Sequence, residues 1–171
     1  MIKIRSKKDG YTLVEMIIYA TILSFVAVVV VYTLFSFVSL YRNVSALRVA
    51  ENSGIYSIER MSRDIIYATT VDTGNSTLGT SPGVLTIIAS DGGISTTTKY
   101  YVDNGVLKVD VNGSYVGPLT GSGVEVIGLT FYHSDSGKSD AVRVDLSLRG
   151  TSRGIIKDKN YHTTILLRGS Y

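Results

Sequence analysis

Two Asp-x-Gly triplets contain carboxylates that could support catalysis. They are Asp72-Thr73-Gly74 and Asp135-Ser136-Gly137. An aspartic protease needs two carboxylates that share one proton. These triplets are 63 residues apart in polar, Ser-rich surroundings, and neither directly follows a hydrophobic strand with a small residue after it. Asp and Gly at this spacing are also typical of turns. We therefore interpret both triplets as turns and predict no catalytic residue.

The sequence also gives little indication of a metal-binding site. His133 and His162 are the only histidines, and each lies in an alternating, strand-like segment, so neither is a site candidate. The chain has no cysteine, which excludes a disulfide framework and a Cys-based zinc site. Three oxygen-rich turns could donate ligands to calcium, but none has EF-hand spacing; they begin at Asp91, Asp103 and Asp110. We predict no metal and no cofactor.

The N-terminal region has a clearer physical pattern. Residues 16–38 form a run of 23 residues without a charge, proline or glycine. As a helix this run is about 34 Å long, which matches the hydrocarbon thickness of a bilayer. Basic residues before the run should hold that end in the cytoplasm, so the rest of the chain should face outward. These orienting residues are Lys3, Arg5, Lys7 and Lys8.

The helical spacing continues beyond the apolar run and predicts one helix over residues 12–69, roughly 58 residues and roughly 87 Å long. Gly54 is the expected position of a bend. The stripe expected to pack against the rest of the protein consists of Leu40, Val44, Leu47, Ile58, Met61, Ile65 and Ala68.

From residue 71 onward the sequence is typical of strands and turns, with 15 of the 17 glycines and both prolines. Two hairpins are indicated, at Asp103-Asn104-Gly105 and at residues 135–138. Alternation over residues 142–149 predicts one buried face, which the outer half of the helix should cover. The predicted strands are 84–89, 97–102, 106–111, 124–134, 141–149 and 161–168.

The expected fold class is therefore α+β: one long N-terminal helix, transmembrane in its first half, packed on a C-terminal antiparallel sheet domain. The predicted division of the chain is a basic leader over 1–10, a transmembrane half of the helix over 11–38, an amphipathic half over 39–70, and a β domain over 71–171.

The segment Lys7-Lys8-Asp9-Gly10-Tyr11-Thr12-Leu13-Val14-Glu15-Met16 resembles the cleavage and methylation motif of type IV prepilins and type II secretion pseudopilins. The resemblance implies that Gly10 is the last leader residue, that Tyr11 becomes the N-methylated terminus, and that Glu15 guides assembly into a filament. The family most often has Phe where Tyr11 stands, so the aromatic ring is retained. Thr12-x-x-Glu15 also spells a capping box, a local role compatible with assembly.

Later segments look like J-type minor pseudopilins and related minor pilins; they are residues 58–65, 142–144 and 161–168. The resemblance implies a pilin-like fold and a structural subunit rather than an enzyme. Its partners would be other pilin or pseudopilin subunits, a prepilin peptidase, the inner-membrane assembly platform and the lipid bilayer. The protein would first reside in the cytoplasmic membrane and would then be part of an extracytoplasmic filament. Secretion, pilus and DNA-uptake systems stay open.

Two other functions also remain open at this point. One is a signal-anchored binding domain that keeps its leader and does not polymerise; the other is a membrane-tethered hydrolase using Asp72 or Asp135. The formal charge of +3 and the isoelectric point near 9.0 suggest an acidic partner. Removal of residues 1–10 takes away four basic residues and one acidic residue, leaving 13 of each. A neutral mature chain does not indicate nucleic acid binding.

Overall fold

A computed structural model describes residues 10–137 and 139–168. These residues form one helix, α1 (Leu13–Ile66), and eight strands. They divide into two compact units, one ending at Tyr41 and one beginning at Arg42. The strands are β1 (Thr70–Val71), β2 (Leu85–Asp91), β3 (Ile94–Asp103), β4 (Val106–Val111), β5 (Ser114–Pro118), β6 (Val124–Asp135), β7 (Asp140–Ser152) and β8 (Ile155–Leu166).

The strands form two antiparallel sheets, β1-β2-β3-β4-β5 and β6-β7-β8. The predicted α+β class, a long helix packed on antiparallel strands, is confirmed. The predicted Asn104-Gly105 turn is also present, with φ of 51° and 74°. Both angles are left-handed, as a two-residue hairpin of this type requires.

The largest differences from the sequence-based expectation concern β1, β5 and β8. β1 and β5 were not predicted, because each is short and β5 contains glycine and proline. β8 begins at Ile155, six residues before the predicted start at 161. Its hairpin turn places Arg153 at φ 49°, which few non-glycine residues adopt, so the turn has a weak sequence signal.

The core of the second unit lies between the sheets and the outer part of α1. Val142, Val144, Leu146 and Leu148 are all fully buried, which confirms the alternation predicted for β7. Seven residues of α1 are also buried: Ala46, Ala50, Ser53, Gly54, Ser57, Met61 and Ile65.

Part of the predicted packing stripe is wrong. Leu40, Val44 and Leu47 are exposed, whereas Met61 and Ile65 are buried as expected. Before Met61 the fully buried residues of α1 are all small, which allows its backbone to approach the strands closely. Val49 and Ile58 are only partly buried against the core. A side chain at Gly150 of β7 would overlap the Ala46 carbonyl oxygen.

Gly54, the expected position of a bend, lies in the interior of α1, and its contacts show a role that the sequence did not predict. A Cβ atom at this position would overlap the ring of Tyr161 in β8. The glycine therefore provides clearance for an aromatic side chain, and the position does not end or interrupt the helix.

A polar contact joins the end of α1 to the five-stranded sheet. Tyr100 of β3 is fully buried, and its hydroxyl donates to Oδ2 of Asp64. Arg60 donates from Nε to the same oxygen at 3.0 Å. Burial is the main cause of a raised pKa at Tyr100, so its hydroxyl stays protonated and available as a donor.

Candidate processing and assembly site

The two residues of the expected cleavage site lie just before the start of α1. Gly10 and Tyr11 precede Leu13, the first helical residue, and Tyr11 is 72% exposed. Thr12 caps the helix, because its Oγ1 accepts from the Glu15 backbone N–H at 3.3 Å. The peptide bond between Gly10 and Tyr11 is therefore outside the helical hydrogen-bond ladder, where a peptidase can bind an extended backbone.

Glu15 lies in the first turn of the helix, and its carboxylate makes a contact that the sequence analysis missed. The Tyr19 hydroxyl donates to Glu15 Oε1 at 3.1 Å. The rings of Tyr11 and Tyr19 meet edge to face, with centroids 6.3 Å apart. The spacing of four residues from Glu15 to Tyr19 was the available signal, because it places both side chains on one face of the helix.

The capping expectation for Glu15 is met only through its backbone. Its N–H is bound by Thr12, whereas its carboxylate contacts the next turn through Tyr19. An acidic side chain in the first turn is also favoured by the partial positive charge at a helix N-terminus. The carboxylate is thus held on the helix surface, beside the exposed N-terminal residues.

The helix that follows is apolar and uncovered. α1 contains an 18-residue window with a mean hydropathy of 2.5, none of it buried. The hydroxyls of Thr21, Ser24 and Thr33 each donate at 2.8 Å to the carbonyl four residues earlier. These bonds satisfy the three hydroxyl groups within the helix itself, as a hydrocarbon environment requires. The helix is long and apolar enough to cross a membrane.

The alternative catalytic carboxylates each serve a local turn. Asp72 Oδ1 accepts from the backbone N–H groups of Gly74 and Asn75 at 3.1 and 3.2 Å. Asp135 Oδ1 accepts from the Gly137 N–H at 2.6 Å. Asp72 follows β1 in the five-stranded sheet, whereas Asp135 ends β6 in the three-stranded sheet. Both triplets are therefore turns, as interpreted from the sequence.

The histidines have separate carboxylate neighbours. His162 Nδ1 is 2.9 Å from Asp145 Oδ1, and His133 Nε2 is 3.7 Å from Asp140 Oδ1. Across residues 10–137 and 139–168, no three His, Cys, Asp or Glu side chains are grouped so that they could hold a metal ion. The orienting residues Lys3, Arg5, Lys7 and Lys8 lie outside the described residues.

The comparison with known families identifies the same N-terminal segment. Residues 5–31 match the family described as the prokaryotic N-terminal methylation motif. No curated protein and no solved structure matches the chain. The motif and the apolar helix fit anchoring in the inner membrane, association with other pilins and processing by a prepilin peptidase. The match supports the interpretation of the chain as a pilin or pseudopilin subunit of a pilus or secretion filament. Proteins with this motif are structural rather than enzymatic.

Proposed function

We propose that this protein is a minor pilin or pseudopilin, close to the J-type, that is built into a type IV pilus-like or type II secretion filament. The methylation motif over residues 5–31 is the observation that carries the proposal. The chain would act as a structural subunit without catalytic residues or a cofactor.

Processing is proposed to occur between Gly10 and Tyr11, followed by N-methylation of Tyr11. The exposure of Tyr11 and its position before the first helical residue support this site. Cleavage would remove the leader, residues 1–10, and with it Lys3, Arg5, Lys7 and Lys8. Before cleavage these basic residues would keep the N-terminus in the cytoplasm and the β domain outside.

Assembly is proposed to depend on Glu15. Cleavage creates an α-amino group at Tyr11, with a pKa near 8, so that it is mostly cationic at neutral pH. This amine would pair with Glu15 of a neighbouring subunit, and methylation would keep its charge. In a low-dielectric surrounding such a charge-assisted pair is strong, and an unpaired carboxylate is costly. The Tyr19 hydroxyl, which already donates to Glu15, would hold the carboxylate in place.

The apolar surface of α1 supports the same proposal. Residues 11–38 would serve as the transmembrane and assembly half of the helix, residues 39–70 as its amphipathic half, and residues 71–171 as the β domain. In the single chain the large apolar side chains of the first part of α1 are exposed. Lipid would cover them in the membrane, and the helices of other subunits would bury them in the filament.

The direct test is to coexpress the chain with a prepilin peptidase and determine its N-terminus by sequencing and mass spectrometry. The expected product begins at Tyr11 and carries the mass of one added methyl group. Cells without the peptidase provide the control and should retain Met1. Any start other than Tyr11 contradicts the proposal, and an intact leader in the presence of the peptidase favours a signal-anchored domain that does not polymerise.

Assembly is tested with Glu15→Ala in cells that produce the complete filament system. The variant should insert into the membrane normally and be lost from sheared filaments. Glu59→Ala is the matched control, because Glu59 is an exposed glutamate on the same helix outside the apolar run. Unchanged incorporation of Glu15→Ala would contradict the assigned role.

A further inference from the structure

A polar cleft of about 380 Å³ lies on the face of the five-stranded sheet that points away from the core. The alternation along β3 identifies this face: Tyr100 is fully buried, whereas its neighbour Lys99 is exposed. The cleft is built from the loop after β1 and from β2, β3 and β4. The side chains that line it are Asp72, Asn75, Thr86, Thr97, Lys99 and Asp110.

A row of paired side chains crosses the sheet at the cleft, with a register shift between Val109 and Asp110 where β4 meets β5. Thr86 is the register partner of Lys99, and Lys99 is the partner of Asp110. Asp110 is in turn the partner of Tyr115, which is 56% exposed on the edge strand β5. Register partners on one face are close neighbours, so four strands present a continuous surface of hydroxyl, ammonium, carboxylate and aromatic ring.

The two carboxylates of the cleft are held in fixed orientations. Asn75 donates from Nδ2 to Asp72 Oδ2 at 2.7 Å, in addition to the two backbone bonds at Oδ1. The Asn75 side-chain bond is the main cause of a lowered pKa at Asp72, which therefore stays ionised. Asp110 Oδ1 accepts from the Tyr101 hydroxyl at 3.1 Å. Both acceptors are thus oriented before any ligand arrives.

The lining of the cleft carries two carboxylates and one ammonium, so it does not offer a surface of a single sign to an ion. Lys99 stands in the row between Thr86 and Asp110, and its ammonium repels a divalent cation. Asp72 and Asp110 repel an anion in the same way. A neutral ligand that both donates and accepts hydrogen bonds is favoured, because carboxylates only accept, an ammonium only donates, and the Thr97 hydroxyl does both.

Aromatic rings border this polar array. Tyr101 and Tyr115 lie on the same face, each with a lysine ammonium 5.7 Å from its ring centroid, from Lys99 and Lys108 respectively. An exposed tyrosine ring offers a flat apolar surface next to a polar edge. A pyranose ring has matching chemistry, with hydroxyl groups around its rim and C–H groups on its faces.

We propose that this cleft binds a neutral saccharide, with Asp72, Lys99 and Asp110 contacting its hydroxyl groups. Tyr115 does not line the cleft but lies next to it as the register partner of Asp110, and it would contact the C–H face of a sugar ring that extends toward β5. The volume lies in the usual range of small-molecule sites. This binding function goes beyond the proposed filament role and does not depend on it, because every residue involved lies in the second compact unit.

The test uses the full unprocessed chain, purified in a detergent without a sugar headgroup, on an array of immobilised neutral mono- and disaccharides. The best saccharide is then titrated in solution by calorimetry. The expected result is binding at millimolar or lower concentration. Calcium chloride is titrated separately, and the proposal is overturned if the protein binds calcium and none of the saccharides.

Two variants locate the site. Asp110→Asn should weaken saccharide binding by about tenfold or more, since it removes a charged acceptor, and Thr97→Val should weaken it by about fivefold. Asp158→Asn is the control, because Asp158 pairs with Arg149 on the other sheet and should leave affinity unchanged. Thermal unfolding establishes that each variant is folded. Wild-type affinity in both cleft variants overturns the proposal, as does the absence of any saccharide binding. Neither result bears on cleavage at Tyr11.

Discussion

The close approach of Gly54 to Tyr161 leads to a prediction that separates helix propensity from packing. A Cβ atom at residue 54 would overlap two ring carbons of Tyr161 and stand 2.6 Å from its hydroxyl oxygen. Ordinary contacts between carbon atoms are about 3.5–4.0 Å, so the ring has to move by about 1 Å or more. The move also disturbs the hydrogen bond from the Tyr161 hydroxyl to the Glu51 carbonyl.

Two opposing free energies determine the effect of Gly54→Ala. Alanine stabilises a helix interior by about 0.8–1.0 kcal/mol relative to glycine. Overpacking of this kind costs about 1–3 kcal/mol. We expect a net loss of about 0–2 kcal/mol in the wild-type background. In the Tyr161→Ala background the ring is absent, and the same substitution should stabilise the protein by about 1 kcal/mol.

The assay is thermal unfolding of the full chain in detergent micelles, followed by circular dichroism for all four members of the double-mutant cycle. For a domain of this size 1 kcal/mol corresponds to a Tm shift of about 4 °C. Asn52→Ala, at an exposed position of the same helix, should have the same effect in both backgrounds. The reasoning is refuted if Gly54→Ala also raises Tm equally with and without the Tyr161 ring.

Two further substitutions are tested by the same assay. Gly150→Ala should lower the free energy of unfolding by about 2–3 kcal/mol or more, because the overlapping atom is the Ala46 carbonyl oxygen, which cannot rotate away. Gly117→Ala is the control, since a Cβ atom there meets nothing within 4 Å. A loss at Gly150 no larger than that at Gly117 would contradict this prediction. The hydrogen bond from Arg143 lowers the pKa of Asp145. The ionised Asp145 therefore contributes to the stability of the folded protein above about pH 3.9, and this contribution disappears as pH falls through the lowered pKa. Asp145→Asn should therefore lose less than about 1 kcal/mol at pH 7 and progressively less as the solution is acidified below about pH 3.9, and a loss that does not shrink on acidification would be inconsistent with it.

The features that depend on neighbouring residues were predicted correctly. The uncharged run of residues 16–38 predicts a helix by composition alone, and α1 contains it. The Asn104-Gly105 turn and the alternation of Val142, Val144, Leu146 and Leu148 also follow from short-range chemistry. At the N-terminus, the motif around Gly10 and Glu15 was recognised, whereas the Tyr19 contact with Glu15 became evident only in the folded helix.

The predictions failed where distant residues decide the outcome. The large apolar residues Val44 and Leu47 were expected to pack, but the helix presents small residues such as Ala46 to the strands. Hydrophobic spacing identifies an apolar stripe, and it contains no information about how closely a partner backbone approaches. The start of β8 was missed because Arg153 adopts a left-handed conformation that its residue type disfavours.

The sequence by itself determined that the chain has an apolar helix long enough to span a membrane, an N-terminal methylation motif before it, and a strand-rich remainder. These properties follow from the types and spacing of residues that are close together in the sequence. Only the tertiary structure decided which face of α1 packs, how the strands divide into two sheets, and that Asp72 and Asp110 share one cleft. Those outcomes depend on steric fit and strand register between residues far apart in the chain, as at Gly54 and Tyr161.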